Sequence, residues 1–197
     1  MVNIYFGLPG SGKSSHAAMI VQRNLKHHIK TFCNFPCEGA IQIDSSYIGK
    51  YSISDGDLII DEAGIDFNSR AYKAMQKNTI QWLKLYRHFH IRNIYVYSQS
   101  FDDMDVTIRR LADRLYLMEK TFVPKLTRIR RIRKVIGVDD VSKQIIDQYS
   151  IDRLCRSYLF TPLYWKHFDS FAVPSLPPLP PSLSEANTVE SPVIQGS

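Results

Sequence analysis

The sequence predicts an α/β fold in which helices cover both faces of a mostly parallel central sheet. Short apolar segments, with the length and composition of buried strands, alternate along the chain with longer segments of helical periodicity. A glycine-rich turn joins the first apolar segment to the first helical one. At 197 residues, the chain is long enough to form one such domain around a hydrophobic core.

The first predicted elements are a strand, a tight turn and a helix. Val2–Phe6 is an apolar run, and Lys13–Lys26 carries its apolar residues near helical spacing. Weaker strand patterns follow at Ile29–Phe35 and Ala40–Ile43. These segments predict the start of an alternating strand–helix chain, in which parallel strands are joined by helices.

The later elements continue the same alternation. The predicted strands and helices are, in order, the strand Asp57–Ile60, the long helix Ala71–Phe89, the strand Asn93–Ser98, the short helix Val106–Arg114 and the strand Leu115–Phe122. Because the carboxyl ends of parallel strands meet at one edge of a sheet, we expect the functional residues to follow these strands.

Charge and proline are unevenly distributed along the chain. The net charge is +6, and every Lys and Arg lies at or before Lys166. Six of the ten prolines follow Ala172. We therefore predict a folded domain over residues 1–170 and an extended, disordered, proline-rich tail over residues 171–197. The basic domain indicates a polyanionic partner, either nucleic acid or an anionic membrane surface, although charge that serves solubility is an alternative.

The turn after the first strand carries a complete phosphate-binding motif. Residues 7–14 read GLPGSGKS, which is the G-x-x-x-x-G-K-S (Walker A) motif of P-loop NTPases. Its glycines let backbone N–H groups turn toward a phosphate, and the following helix directs its positive end at the same anion. Lys13 is expected to reach the β- and γ-phosphates, and the Ser14 hydroxyl to be a ligand of Mg²⁺. The predicted nucleotide-binding residues are Gly7, Pro9, Gly10, Ser11, Gly12, Lys13, Ser14 and Ser15.

Polar residues at the ends of two later strands complete the predicted catalytic set. Asp61 and Glu62 follow an apolar strand in the manner of a Walker B motif; we expect Asp61 to hold Mg²⁺ and Glu62 to activate the attacking water. Gln99 follows the strand Asn93–Ser98, where P-loop ATPases with an additional strand beside the loop strand carry a sensor of the γ-phosphate. With Lys13, these residues predict hydrolysis of ATP with Mg²⁺. Alternatively, Glu62 and Gln99 are polar strand ends without a chemical role.

Residues 125–134 (KLTRIRRIRK) form a strongly basic segment without an acidic residue. Apolar residues recur in it every three positions, which fits an amphipathic helix, whereas a strand of a hairpin fits equally well. Sequence-independent binding of DNA, docking to anionic lipid and a solvated basic strand are all open. The candidate nucleic-acid contacts are Lys125, Arg128, Arg130, Arg131, Arg133 and Lys134.

Taken together, these motifs resemble the zonula occludens toxin (Zot) family over roughly residues 2–170. That family includes the gene I assembly proteins of filamentous phages and is related to the FtsK/HerA DNA-pumping ATPases. The segments that carry the resemblance are Asp61-Glu62-Ala63, Phe67-Asn68-Ser69-Arg70, Arg87-His88, Ser98-Gln99, Asp105-Val106-Thr107-Ile108-Arg109 and Tyr164-Trp165-Lys166-His167-Phe168-Asp169-Ser170.

The resemblance implies a RecA/FtsK-like fold of the additional-strand type and a homo-oligomeric ring. It further implies an ATPase that drives phage DNA export, packaging or virion assembly at the host inner membrane, with DNA and other phage assembly or membrane proteins as partners. In such rings a neighbouring subunit supplies an arginine to each site. Arg87, which lies in the Arg-His pair, is the first candidate, and Arg92, Arg109 and Arg110 are alternatives; each is otherwise a surface charge.

Two departures from the family limit what is carried over. Members of the phage assembly type continue into a transmembrane helix and a periplasmic domain, whereas this chain continues into its proline-rich tail. Gly64 also stands where the family often has Gln. We therefore expect a protein of the host cytoplasm, free or bound peripherally at the inner membrane, without a transmembrane segment or toxin activity.

A small-molecule phosphotransferase, such as a nucleoside kinase, is an alternative use of the same P-loop. Asp61-Glu62-Ala63 followed by an aromatic residue is also similar to thymidine kinases, but the paired zinc cysteines of that family are absent. A GTPase is disfavoured because no Asn-Lys-x-Asp motif is present to read guanine. Release of phosphate favours the ATPase, and transfer of phosphate to thymidine favours the kinase.

Overall fold

A computed structural model describes residues 1–62, 77–102, 104, 106–138 and 145–168 of the chain. The strands within these residues are β1 (Val2–Phe6), β2 (Thr31–Cys33), β3 (Ile41–Gln42), β4 (Gly56–Ile60), β5 (Ile91–Ser98), β6 (Arg114–Lys120), β7 (Leu126–Val138) and β8 (Ile145–Phe160). The helices are α1 (Lys13–Lys26), α2 (Lys77–Leu85) and α3 (Val106–Leu111), with 3₁₀ helices at Ser45–Tyr47, Tyr86–Phe89 and Thr161–His167.

The described strands form one sheet in the order β3-β2-β4-β5-β1-β6-β7-β8. Neighbours from β3 to β6 pair in parallel, whereas β6, β7 and β8 pair antiparallel. We call β7, β8 and the β6–β7 turn (residues 121–125) the antiparallel extension. Because β5 lies between β1 and β4, the sheet has the additional strand expected from the sequence. The predicted α/β fold with a mostly parallel central sheet is confirmed.

Two apolar layers, one on each face of the sheet, hold the helices in place. Each Ile, Val or Leu side chain that is fully buried in such a layer contributes about 1.5–3 kcal/mol. On one face, α1 packs Ala17, Ile20 and Val21 against Tyr5, Ile59 and Tyr97; on the other, α2 and α3 pack Trp82, Leu83 and Ile108 against Ile4, Ile60 and Ile94.

Among the predicted bounds that differ from the structure, two have an identifiable cause, and the structure also decides the type of the basic segment. Ile29 belongs to the turn that follows α1 rather than to β2, because its N–H donates to the carbonyl oxygen of Asn24. The helix α3 ends at Leu111 instead of Arg114, since Asp113 is hydrogen-bonded to Val2 through both its backbone N–H and its carboxylate. For the basic segment, the structure confirms the hairpin strand over the helix: residues 126–134 lie in β7, between two antiparallel partners.

Several predictions fall outside the described residues. They are the first part of the helix predicted at Ala71–Phe89, the family segment Phe67–Arg70, and the proline-rich tail with its boundary at residue 170. The family comparison also used Ala63, Gly64, Asp105, Asp169 and Ser170, which lie outside the described residues. Among the helices that the structure describes, none combines the length and the apolar composition needed to cross a membrane.

Candidate nucleotide-binding site

Three neighbouring strands end at the same edge of the sheet and bring the predicted catalytic residues together. Gly7 follows β1, Asp61 and Glu62 follow β4, and Gln99 is the first residue after β5. A cavity of about 830 Å³ opens at this edge, within the usual range for a small-molecule site. Its lining comprises Pro9, Gly10, Gly12, Lys13, Ser14, Ser15, Glu62, Gln99, Lys120, Thr121, Val123, Pro124, Lys125, Leu126, Thr127, Thr161, Trp165 and Phe168.

The P-loop has the backbone conformation that its glycines permit. Gly10 and Gly12 have φ angles of 70° and 86°, in the left-handed region that L side chains rarely adopt. A Cβ atom on Gly12 would also lie 2.6 Å from Thr127 Oγ1 and 2.8 Å from Thr161 Cγ2. The second glycine of the motif is therefore needed both for the turn and for close packing against the antiparallel extension.

Lys13 is held over the loop as a buried cation. Its side chain is only 6% exposed, and Nζ donates to the carbonyl oxygens of Gly7 at 2.7 Å and Leu8 at 3.2 Å. Burial lowers the pKa of Lys13, whereas the carboxylates of Glu62 and Asp61 act in the opposite direction. The ammonium group is thus placed beside both acidic residues of the site.

Ser14 and Asp61 are in direct contact. Ser14 Oγ donates to Asp61 Oδ2 at 2.7 Å, which opposes the rise in the pKa of Asp61 that its burial causes. The backbone of Asp61 is fixed by Asn34, which exchanges two hydrogen bonds of 2.8 Å with it. A hydroxyl and a carboxylate are ligands of the kind that Mg²⁺ prefers, so these two side chains fit the predicted metal site.

Glu62 and Gln99 form the side of the cavity nearest the end of β5. Glu62 has a φ of 53°, and its side chain accepts a hydrogen bond of 3.2 Å from Gln99 Nε2. Both residues line the cavity together with Lys13. A carboxylate oriented by an amide at this position can accept a proton from a water molecule beside a bound phosphate.

Two of the predicted nucleotide-binding residues, Gly7 and Ser11, shape the loop instead of lining the cavity. The carbonyl oxygen of Met118 lies so close to Gly7 that a Cβ atom would not fit. The carbonyl oxygen of Ser11 accepts a hydrogen bond of 2.9 Å from Thr127 Oγ1. These contacts fasten the P-loop to the strands β6 and β7.

The antiparallel extension also contributes residues that sequence reasoning missed or assigned elsewhere. Lys120, at the end of β6, reaches to 3.0 Å from the position of a Cβ atom on Gly10, so it adds a second cation to the loop. Lys125 was predicted as a nucleic-acid contact, but it lines the cavity, with Nζ 5.4 Å from the ring centroid of Trp165. Lys120 stands in no recognised motif, and Trp165 lies in a segment that resembles the Zot family but has no assigned chemical role there.

The other predicted nucleic-acid contacts lie along β7, away from this lining. Arg128 and Arg130 both pair with Glu119, at 3.2 and 2.5 Å, and Arg133 pairs with Asp152 at 2.8 Å. The remaining two, Arg131 and Lys134, lie on the same strand. The six predicted residues are therefore divided between the nucleotide cavity and the rest of β7.

Arg87 lies at the opposite edge of the sheet from the cavity. It belongs to the 3₁₀ helix that precedes β5, and its Nε donates to Tyr86 OH at 3.1 Å. Its charge acts on the amino group of Met1, which precedes β1. Arg87 is therefore not part of the site of its own chain, and a role in the site of a neighbouring subunit stays a prediction.

In fold, the chain is similar to the N-terminal domain of zonular occludens toxin from Neisseria meningitidis. The TM-score is 0.51 at 18% sequence identity, and the similarity covers 77% of this chain and 94% of that chain. The chain is also similar to the genome packaging NTPase B204 from Sulfolobus turreted icosahedral virus 2, in complex with ATP-gammaS. There the TM-score is 0.51 at 14% identity, with 74% of this chain and 95% of that chain covered.

No protein-family model matches the sequence, and no curated protein matches it. The structural similarities nevertheless confirm the resemblance to the Zot family at the level of the fold. In this chain, the additional strand β5 separates the strand of the P-loop from the strand of Asp61.

Proposed function

We propose that the chain is an Mg²⁺-dependent ATPase that acts as a motor in phage DNA export, packaging or virion assembly. The observation that carries the proposal is the meeting of Lys13, Ser14, Glu62 and Gln99 at one cavity, with Asp61 hydrogen-bonded to Ser14. A P-loop alone is common to hydrolases, kinases and switches. A carboxylate next to the metal-binding aspartate favours water as the nucleophile.

Each residue has a distinct part in hydrolysis. Backbone N–H groups of the loop and Lys13 bind the phosphate oxygens. Ser14 and Asp61 would hold Mg²⁺, which when bound neutralises charge on the β- and γ-phosphates. Glu62 accepts the proton of the attacking water, and Gln99 holds the carboxylate of Glu62 in position and lies where it can contact the γ-phosphate.

We propose DNA as the polyanion that the motor acts on. Arg130 of β7 is directly opposite Arg156 of β8, and Arg128 is opposite the exposed Tyr158. Glu119 is one carboxylate shared by Arg128 and Arg130, so with the exposed Arg156 this side keeps a positive excess that an anionic partner would offset. Arginines interleaved with an exposed aromatic ring suit both the phosphates and the bases of a nucleic acid.

A homo-oligomeric ring in the host cytoplasm, free or bound peripherally at the inner membrane, completes the proposal. In such a ring, Arg87 reaches the γ-phosphate bound by the next subunit, which its position at the edge opposite its own P-loop allows. ATP turnover per chain should then rise with protein concentration. Turnover per chain that is constant from nanomolar to micromolar protein would contradict the ring.

The hydrolysis step is tested by comparing Lys13→Ala with Glu62→Gln. Lys13→Ala should weaken ATP binding on the order of 10²-fold or more, because it removes a buried cation from the phosphates. Glu62→Gln should keep ATP affinity and lower turnover roughly 10²–10⁴-fold, since it removes only the general base. Binding is measured by isothermal titration calorimetry and turnover by phosphate release.

Equal loss of ATP affinity in the two variants would contradict the roles assigned to them. The products of the wild-type reaction test the reaction class at the same time. Transfer of the γ-phosphate to thymidine, in place of its release as inorganic phosphate, would favour the nucleoside-kinase alternative. Stimulation of phosphate release by DNA would favour the motor.

A further inference from the structure

The nucleotide cavity has a second end, which none of the roles assigned so far uses. One end, the phosphate end, is formed by the P-loop with Glu62 and Gln99. The other end, the base end, is formed by residues 123–126 of the antiparallel extension together with Trp165 and Phe168. These residues are largely apolar and aromatic, and Lys125 is the only charged side chain among them.

We propose that the base end is the binding site for the base of the nucleotide, which we call the base seat. There the base stacks on the indole ring of Trp165 and contacts Lys125. This inference rests on the proposed function, because the P-loop fixes where the phosphates lie and therefore where the base must go. A flat indole offers a stacking surface to any nucleobase. The ammonium group of Lys125 lies over the indole ring, 5.4 Å from its centroid; a stacking base takes its place on the ring, and the ammonium can then donate to the acceptor nitrogens of the base.

The turn that carries one wall of this seat is held by hydrogen bonds of its own. The backbone N–H and the side-chain hydroxyl of Thr121 both donate to the carbonyl oxygen of Leu126, at 3.1 and 2.9 Å. Val123 N–H donates to Thr121 Oγ1 at 3.2 Å, and Pro124 fixes its own φ angle. The position of Lys125 at the end of this turn is thus set before any ligand binds.

The 3₁₀ helix that carries Trp165 is held at both ends. At its start, Thr161 donates to the carbonyl oxygen of Lys125 from its backbone N–H at 3.0 Å and from its hydroxyl at 3.1 Å. At its end, the carbonyl oxygen of His167 accepts from Glu38 N–H at 2.9 Å, and the His167 ring contacts the Glu38 carboxylate at 2.6 Å. The first anchor joins the helix to the turn, and the second joins it to the segment after β2.

Trp165 is nevertheless 48% exposed, which is unusual for a large aromatic side chain held in this way. Tyr164, its neighbour in the chain, packs into the apolar layer beneath α1. Tyr164 therefore supplies the apolar contact between this helix and the core, and Trp165 is not needed for that contact. A ligand that covers the indole accounts for both its exposure and its fixed position.

The test uses the chain of residues 1–197, two ligands and three variants. ATP carries a base, whereas inorganic tripolyphosphate carries only the phosphates. Trp165→Ala should weaken ATP binding about tenfold, because stacking on one aromatic side chain is lost. Trp165→Phe should restore most of that affinity. Leu163→Ala is the matched control, since Leu163 is an exposed apolar residue of the same 3₁₀ helix that does not line the cavity.

Tripolyphosphate distinguishes failure of the base seat from failure of the proposed function. Its affinity should change less than about twofold in every variant, since the P-loop is intact. If wild-type protein binds tripolyphosphate but Trp165→Ala binds ATP as the wild type does, the base seat is wrong and the phosphate site stands. If wild-type protein binds neither ligand, the proposed function itself fails. Equal weakening of both ligands in Trp165→Ala would mean that the variant disturbs the fold, and would overturn the assignment.

A spectroscopic measurement gives a second, independent readout. The chain has two tryptophans, of which Trp82 is only 5% exposed. ATP should protect the emission of wild-type protein from quenching by acrylamide, whereas tripolyphosphate should not. This protection should disappear in Trp165→Phe. Protection by a DNA oligonucleotide and none by ATP would assign the indole to the nucleic acid and overturn the proposal.

Discussion

The two ends of the nucleotide cavity are built by two different parts of the sheet. The phosphate end lies on the parallel strands β1, β4 and β5, where backbone groups and charged side chains converge over a short distance. The base end lies on the antiparallel extension and the last 3₁₀ helix, where the described lining is largely apolar. The phosphate end therefore supplies charge and chemistry, whereas the base end supplies a surface for stacking.

The largest effect is expected where the two parts touch. Gly12→Ala places a Cβ atom against Thr127 and Thr161 at a positive φ angle, so we expect the free energy of unfolding to fall by about 2–4 kcal/mol. ATP binding should weaken at least about tenfold, because the loop shifts. Denaturant unfolding and calorimetry measure the two effects.

Thr127→Ala sharpens this prediction. The double variant Gly12→Ala/Thr127→Ala should lose less stability than the sum of the two single variants, because the shortened side chain makes room for the new methyl group. Strictly additive losses would show that the loop and β7 are not in the close contact described.

A smaller effect is expected on the side of the extension that carries the arginines. In the double variant Arg128→Ala/Arg156→Ala, Arg130 still pairs with Glu119, so the hairpin keeps that ion pair. The slope of log K for DNA binding against log salt concentration should decrease in magnitude by about 2, at ~0.9 per lost phosphate contact. Fluorescence anisotropy over a salt series measures the slope.

Arg92→Ala is the control for this experiment. Arg92 is exposed and lies at the start of β5, at the edge of the sheet remote from the cavity. Its removal changes the net charge of the protein without changing the hairpin. A salt slope that is the same in the double variant as in wild type would remove this surface from the DNA contact.

The smallest effect is expected when the adenine of the nucleotide is replaced by guanine. Glu62 is the sole carboxylate among the described lining residues, and it belongs to the phosphate end. Guanine thus meets no acidic acceptor for its N–H groups at the base end, and stacking tolerates either purine. We expect the dissociation constants for ATP and GTP to agree within about threefold in calorimetric titrations. If the affinities for ATP and GTP differ by more than tenfold, the base end distinguishes the two bases by hydrogen bonds as well as by shape.

The sequence predicted the phosphate end better than the base end, for a physical reason. The Walker A residues are contiguous, and Asp61, Glu62 and Gln99 follow apolar runs whose parallel pairing brings them to one edge. Asn34, which fixes the backbone of Asp61, follows a short strand but stands in no recognisable pattern.

The base end depends on contacts that no local pattern encodes. Thr127 donates to Ser11, which is 116 positions earlier in the chain, and Trp165 reaches the cavity only because both ends of its helix are anchored. For β7, the spacing of Leu126, Ile129 and Ile132 is that of a helix, whereas a strand of a hairpin is open as well. Pairing with β6 and β8, which is a tertiary effect, decides in favour of the strand.

The hydrogen bond from Thr127 to Ser11 ties β7 to the P-loop. Consecutive side chains of a strand project to opposite sides, so Thr127 grips the P-loop while Arg128, one residue later, pairs with Glu119 on the other side. One residue pair of β7 therefore connects the backbone of the P-loop to the arginine side of the sheet, so a change in the loop and a change at that surface share a single strand.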